Sequence, residues 1–87
     1  MNKTFSDQAW EDYVSWQSED RKTLKRINQL LKDIDRNGNE GIGKPEPLKG
    51  NFSGYWSRRI DEKNRLVYRI DGGNLLIAAC KSHYGDK

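Results

Sequence analysis

Leu24, Ile27, Leu30, Leu31 and Ile34 recur at i, i+3, i+6, i+7 and i+10. That period of about 3.6 lines them up on one side of a helix, and such a stripe has to be buried against another element. After residue 54 the apolar period falls to two. Residues 55–60, 65–70 and 74–80 then read as three strands, joined by turns at 61–64 and at Asp71-Gly72-Gly73. A helical stripe followed by a run of hairpins has few solutions. The simplest is helices packed on one face of a sheet, with the other face left free.

The remaining elements follow from shorter signals. Residues 2–5 suit an opening strand. Ser6 reads as an N-cap and Asp7 suits the positive end of a helix. This first helix runs to about residue 18, with Trp10, Tyr13, Val14 and Gln17 at helical spacing. The second begins near Asp20 and stops at Asn37-Gly38. Its Lys22, Lys25, Arg26, Lys32 and Arg36 lie off the apolar stripe. Residues 38–54 hold five of the eight glycines and both prolines, so they form a long loop, and long loops in compact domains are often functional. The strand at 74–80 is apolar on both parities and belongs inside the sheet. The expected order is strand, helix, helix, strand, strand, strand. This is an α+β fold with two helices on one face of a small antiparallel sheet, one domain over residues 1–87.

Parity divides the strand at 65–70. Leu66, Tyr68 and Ile70 should face the helices, and Arg65, Val67 and Arg69 should face outward. Whether Arg59 joins the outer arginines depends on hairpin register. Pairing Ile60 with Arg65 would put it on the wrong side, and a bulge or five-residue loop would reverse that.

Composition narrows the class. Hydrophobic residues are only 33% of the 87, but nine are aromatic and supply concentrated burial area. The net charge of +3 is too low for a disordered chain. Residues 1–43 carry 7 basic and 8 acidic side chains; residues 44–87 carry 9 and 5. A basic half suits a phosphate-bearing partner, and equally an ordinary solvated surface. The single cysteine, Cys80, cannot form an internal disulfide and suits a reducing cytoplasm. No signal peptide is expected, and the longest apolar run, 75–80, is too short to span a membrane.

One histidine and one cysteine make no metal-ligand cluster, and there is no phosphate loop or nucleophile elbow, so no cofactor is expected. What remains is a histidine, carboxylates, a tyrosine and cations. Those parts suit RNA cleavage, in which the 2′-hydroxyl of the substrate attacks the adjacent phosphate. The enzyme then needs a base, an acid and cations around the phosphorane. Glu46, stiffened between Pro45 and Pro47, is a candidate base. His83 is a candidate acid, since a histidine titrates at about 6.5 and a phosphate raises that value. Arg65 could hold the scissile phosphate through its planar fork, and Tyr84 could stack on a base. Each also reads as an ordinary surface group, and the residues alone reach only to an RNA-binding domain with parts for cleavage.

Longer stretches are more specific. Gly43-Lys44-Pro45-Glu46-Pro47-Leu48-Lys49 resembles the loop of the YoeB toxins. So do Ser53-Gly54-Tyr55-Trp56-Ser57-Arg58-Arg59-Ile60, Asn64-Arg65-Leu66-Val67-Tyr68, and Leu75-Leu76-Ile77-Ala78-Ala79-Cys80 followed by His83-Tyr84. Trp10, Asp12-Tyr13 and Trp16-Gln17 look similar too, so the likeness covers nearly the whole chain. The resemblance implies the microbial RNase, or RelE-like, fold and a ribosome-dependent mRNA interferase. It implies Glu46 as general base, His83 as general acid, Arg65 as phosphorane stabiliser and Tyr84 as the residue that positions RNA. Lys49 and Arg59 would hold phosphates. It further implies a YefM-like antitoxin as partner beside ribosome and mRNA, and it leaves room for a homodimer. The tail Gly85-Asp86-Lys87 departs from the family, which commonly ends at or near the tyrosine. Two rival readings remain: a non-catalytic RNA- or ribosome-binding module, which has no need of Glu46 and His83, and a gyrase-directed ParE-like toxin, which would not be expected to hold the Glu46, Arg65, His83, Tyr84 set.

Overall fold

The structure, a computed structural model, describes residues 1–81. The chain runs β1 (Asn2–Phe5), α1 (Asp7–Glu19), α2 (Arg21–Asn37), β2 (Glu46–Pro47), one 3-10 turn (Gly50–Phe52), β3 (Trp56–Arg59), β4 (Arg65–Asp71) and β5 (Asn74–Ala79). The sheet order is β1-β5-β4-β3-β2. β2 to β5 form an antiparallel run, but β1 pairs with β5 in parallel, so the sheet is mixed and not purely antiparallel as the sequence suggests. The helical pair carries the chain away from β1 before the hairpins begin, and β5 offers β1 a free edge. The loop also differs from expectation, because Glu46 and Pro47 pair with Ser57 and Trp56 as a short edge strand.

Caps set the helices. Ser6 Oγ accepts from the Ala9 N–H at 3.1 Å and donates to the Ala78 carbonyl at 2.9 Å, which ties the start of α1 to β5. Asp20 serves both helices. Its N–H donates to the Trp16 carbonyl, and its carboxylate accepts from the Lys22 and Thr23 N–H groups and the Thr23 hydroxyl. These bonds, the Thr23 hydroxyl first, hold the Asp20 carboxyl below its usual value.

The expected stripe of α2 is the core: Ile27, Leu30, Leu31 and Ile34 pack against Leu66, Tyr68, Leu75 and Ile77. Each such buried side chain contributes about 1.5–3 kcal/mol. The inward face of α1 is not the one its aromatic spacing suggests. Ala9, Asp12 and Trp16 are buried, whereas Trp10 is 53% and Val14 42% exposed. Trp10 stacks on Tyr13 and meets the edge of Phe5 at the surface. What turns the helix is polar: Asp12 and Trp16 both bond to the backbone of Cys80 at the end of β5. Among the described residues no helix is long and apolar enough to cross a membrane.

Candidate functional site

Register decides which side chains meet on the open face. Arg59 pairs with Arg65, Ser57 with Val67, and Glu46 with Ser57. Residues directly opposite in an antiparallel ladder share a face, so Glu46, Ser57, Arg59, Arg65 and Val67 share the one turned from the helices. The open question of register is answered by the Arg59–Arg65 pairing. Ile60 N–H donates to the Asn64 carbonyl beyond it, which closes the turn, and Arg59 falls beside the outer arginines. Trp56, Arg58, Leu66 and Tyr68 take the helix side.

The turn shapes Arg65. The Asp61 carboxylate accepts from the Lys63 and Asn64 N–H groups at 2.8 and 2.7 Å. Burial works against its charge, but the Asn64 and Lys63 bonds and the nearby Arg65 outweigh that and keep the carboxyl below its usual value. Arg65 Nη1 donates to the Asp61 and Asn64 carbonyls at 2.7 and 3.1 Å. Its guanidinium is therefore oriented by backbone oxygens, with the Asp61 carboxylate nearby. Among the described residues neither Arg65, Arg59, Lys49 nor Glu46 forms a salt bridge. Lys49 is exposed just before the 3-10 turn.

The segment leading to Glu46 is anchored from inside. Arg58 is fully buried, and its Nη1 lies 2.6 Å from Asp33 Oδ2 on α2. The same guanidinium donates to the carbonyls of Gly38, Glu40 and Ile42, and its Nε donates to the Tyr68 hydroxyl at 3.1 Å. Gly43 sits against Leu30 and the Arg58 and Arg59 backbone region so closely, with φ +82°, that a side chain there would collide. The Gly43 carbonyl accepts from the Arg59 N–H at 2.7 Å. Sequence reading passes over Arg58 because its type suggests solvent; its only signal is parity opposite to Arg59.

His83 and Tyr84 lie outside the described residues. The chain just before them is fastened to α1. Asp12 Oδ2 accepts from the Cys80 N–H at 3.0 Å, and Trp16 Nε1 donates to the Cys80 carbonyl at 2.9 Å. Lys81 Nζ reaches Glu19 at 2.9 Å and stands 4.8 Å from the centre of the Trp16 ring. An irregularity between Val67 and Tyr68 shifts the β4–β5 register, pairing Val67 with Ala79 and Tyr68 with Ile77. Ala78, the extra residue on β5 between these pairs, lets Cys80 point inward. Nearby on the open face, Arg69 lies over the Tyr55 ring at 5.7 Å, beside a cleft of about 210 Å³ lined by Thr4, Tyr55, Leu76 and Ala78. Among the described residues no three His, Cys, Asp or Glu side chains converge as a metal site would need.

Among the described residues the open face therefore carries the Glu46 carboxylate, free of any salt bridge, and several cations, with Asp71 paired to Arg69 at its far end. This strand order and helix placement define a RelE-like toxin fold. YafQ from Escherichia coli superimposes with a TM-score of 0.73 over 94% of this chain and 92% of its own, at 20% identity, a likeness of fold alone. The family model of the YoeB-like toxins of bacterial type II toxin–antitoxin systems matches residues 5–84, and the chain belongs to that family. It is 54% identical to toxin YoeB of Escherichia coli (strain K12) over 84 residues, 97% of this chain and 100% of that one. It is also similar to YoeB of Staphylococcus aureus, solved in a YoeB–YefM complex (58% identity, TM-score 0.90) and as a dimer (59%, 0.91), with 97% of this chain and 98% of those covered.

Proposed function

We propose that this toxin is an endoribonuclease that cuts mRNA in the decoding site of the ribosome. The observation that carries the reading is the Arg59–Arg65 pair beside Glu46 on the open face. Arg59 and Arg65 are paired on neighbouring strands, their Cα atoms about 5 Å apart, and Glu46 lies on the next strand, offset by two residues along β3, so a base and two cations border one stretch of the open face. Glu46 takes the proton of the 2′-hydroxyl, and the oxygen attacks the phosphorus. Arg65 stabilises the phosphorane, while Lys49 and Arg59 hold the flanking phosphates. His83 protonates the leaving 5′-oxygen, and Tyr84 positions the RNA. The 2′-oxygen–phosphorus bond forms as the 5′-oxygen–phosphorus bond breaks, giving a 2′,3′-cyclic phosphate and a 5′-hydroxyl. The substrate supplies its own nucleophile, so no metal hydroxide enters this reading.

A domain of this size grips little substrate by itself, and positioning supplies much of the rate, so free RNA is cut slowly. The inhibitory partner is a YefM-like antitoxin, by analogy with the YoeB–YefM complex of the Staphylococcus aureus relative, and its acidic segment would cover the basic face. A homodimer is the second assembly, by analogy with the dimer of the same relative.

The test uses ribosomes programmed with a defined message, with Glu46→Ala and His83→Ala in parallel and EDTA as a control. A cut in the decoding-site codon, insensitive to EDTA, bearing those ends and lost in both variants, is the expected result. An uncut message, with salt-sensitive RNA binding intact, would replace the enzyme with a binding module.

A further inference from the structure

The open face runs on past Glu46, Arg59 and Arg65 into a cleft that the proposed reaction leaves unused. From the Arg59–Arg65 pair, the next outward positions are Ser57 opposite Val67, and then Tyr55 and Arg69. Those last two stand about 13 Å along the strands from the paired arginines, at about 3.3 Å per residue. Register sets Arg69 beside Leu76 and Leu76 beside Thr4, in one row across β4, β5 and β1. Tyr55, Leu76, Ala78 and Thr4 thus enclose the hollow of about 210 Å³.

Three features separate it from an ordinary dip in the surface. The Arg69 guanidinium lies 5.7 Å from the centre of the Tyr55 ring and steadies it as a wall. Arg69 Nε is buried with no hydrogen-bond partner among the described residues, and Nη2 reaches Asp71 only at 3.4 Å. An arginine serving solubility alone would keep its donors in water. Thr4 is exposed, and its hydroxyl has no partner among the described residues, so a polar group stands ready beside the apolar floor. Among the described residues no carboxylate lines the hollow, so it does not suit a cation. An aliphatic floor and an aromatic wall suit a flat uncharged ring.

We propose that this cleft holds a nucleobase of the RNA being cut, stacked on the Tyr55 ring, from the 5′ side of the cleavage point. The inference rests on the ribonuclease reading above. Glu46 pairs with Ser57, midway between Arg59 and Tyr55. The order along β3 is therefore cation, base catalyst, aromatic ring, which matches phosphate, ribose and nucleobase on the side that carries the attacking 2′-hydroxyl. Arg59, Arg65 and Arg69 draw a polyanionic strand to this face, and unstacked bases settle on aromatic rings whatever their identity.

The experiment uses programmed ribosomes whose message carries one abasic ribose, placed in turn at each position on either side of the cut. Wild type, Tyr55→Leu, Tyr55→Phe and Arg69→Gln are compared, with thermal melting followed for each. One 5′ abasic position should lower the wild-type kcat/KM by about 5- to 100-fold, the worth of one base–aromatic stack. Tyr55→Leu should lose as much on the intact message and nothing further on the abasic one. Tyr55→Phe keeps the ring and should regain the sensitivity. Arg69→Gln, which leaves the ring unsupported, should lose about 2- to 10-fold.

A leucine variant as sensitive to the abasic position as the wild type would make Tyr55 structural and overturn the subsite, while the wild-type cut keeps the enzyme reading. Sensitivity confined to the 3′ side would overturn it too. A leucine variant that cuts normally but binds the YefM-like antitoxin weakly would give the cleft to a protein segment instead. If the wild type cuts no message, the enzyme reading falls, and a short 2′-O-methyl oligoribonucleotide decides the cleft by its affinity for the toxin alone. An abasic loss of affinity seen in the wild type and absent in Tyr55→Leu keeps the subsite; equal behaviour, or no binding, discards it.

Discussion

Arg58 Nη1 lies 2.6 Å from Asp33 Oδ2, and the guanidinium that makes this contact is fully buried, although Arg59 beside it in β3 is in solvent. The pair joins the sheet to α2, and the three loop carbonyls of Gly38, Glu40 and Ile42 depend on the same arginine. Arg58→Met should therefore leave those carbonyls unpaired and Asp33 without its cation, with only Asn37 and the Ile42 N–H still bonded to it, and destabilise the fold by about 3–5 kcal/mol, the usual cost of breaking one side of a buried pair. Arg58→Lys keeps the charge but loses the fork, and should fall between. Urea midpoints measure this; a loss under about 1 kcal/mol for the methionine variant would show that the network contributes little.

The same contact sets an acid limit. The Arg58 hydrogen bond holds the Asp33 carboxyl below its ordinary 3.8 in the folded state. Asp35 shifts the same way through Lys3, and Asp20 through Thr23. A carboxyl whose folded value is depressed stabilises the protein above its unfolded value, and that contribution is lost as pH falls through the folded one. Urea midpoints should hold steady down to a pH of about 5 and then drop below about 4. Asp33→Asn should start lower and fall less steeply with acid. Parallel curves would mean that Asp33 is not among the groups responsible.

Arg58 also marks where sequence reading stops. The stripe of α2, its Asp20 and Gly38 ends, and the outward arginines of β4 were all legible, because each depends on local spacing or capping. The inward face of α1 was not. An aromatic count favours Trp10, and only the long-range bonds from Cys80 to Asp12 and Trp16 explain why Trp10 is outside. The parallel seat of β1 and the short β2 strand are equally non-local. Of the candidate site, Glu46, Arg59 and Arg65 are brought to one face. The position of Arg59 depends on a register that no local signal in residues 61–64 specifies.

Cys80 should be chemically inert while the protein is folded. It is fully buried, and burial first, then the Asp12 carboxylate, pushes its thiol up to about 12, with Lys81 opposing. Iodoacetamide at pH 8 should leave native protein unmodified and alkylate it completely in urea. Because the folded value lies above the ordinary 9.0, the thiol's contribution to stability is complete below that value and is lost as pH rises toward 12. Rapid labelling of the native protein would show that the α1–β5 junction opens readily.

The clamp on Cys80 should be felt in catalysis if His83 is the acid, as proposed. Asp12 and Trp16 hold both backbone groups of a residue that precedes His83 by three positions. Asp12→Ala removes the acceptor, whereas Asp12→Asn retains an oxygen that can accept the Cys80 N–H. On programmed ribosomes the alanine variant should lose kcat by about 10- to 100-fold at nearly constant KM, because misplaced acid groups cost rate more than binding. The asparagine variant should recover most of it. Trp16→Phe, which loses one donor to the Cys80 carbonyl, should cost about 1 kcal/mol of stability. If alanine and asparagine at position 12 cut equally fast, the clamp is structural only.

The open face makes the sharpest separation between chemistry and folding. Glu46, Arg59 and Arg65 lie on the side away from the core, and among the described residues none forms a salt bridge. Removing Glu46 or Arg59 should leave melting temperatures almost unchanged, since exposed charges without a salt bridge contribute little to stability, whereas removing the half-buried Arg65 also loses its bonds to the Asp61 and Asn64 carbonyls and should cost about 1 kcal/mol. Glu46→Ala should lower the single-turnover cleavage rate by about 10²- to 10⁴-fold, the range of one general base. Arg65→Lys keeps the charge but not the fork held over the Asp61 and Asn64 carbonyls, so it should also lower kcat. Arg59→Gln and Lys49→Gln should act mainly on KM, with a shallower salt dependence, because their proposed part is to hold flanking phosphates. If Arg59→Gln instead abolished kcat and Arg65→Lys changed only KM, the two arginines would exchange roles, and the scissile phosphate would lie over β3 and not over β4.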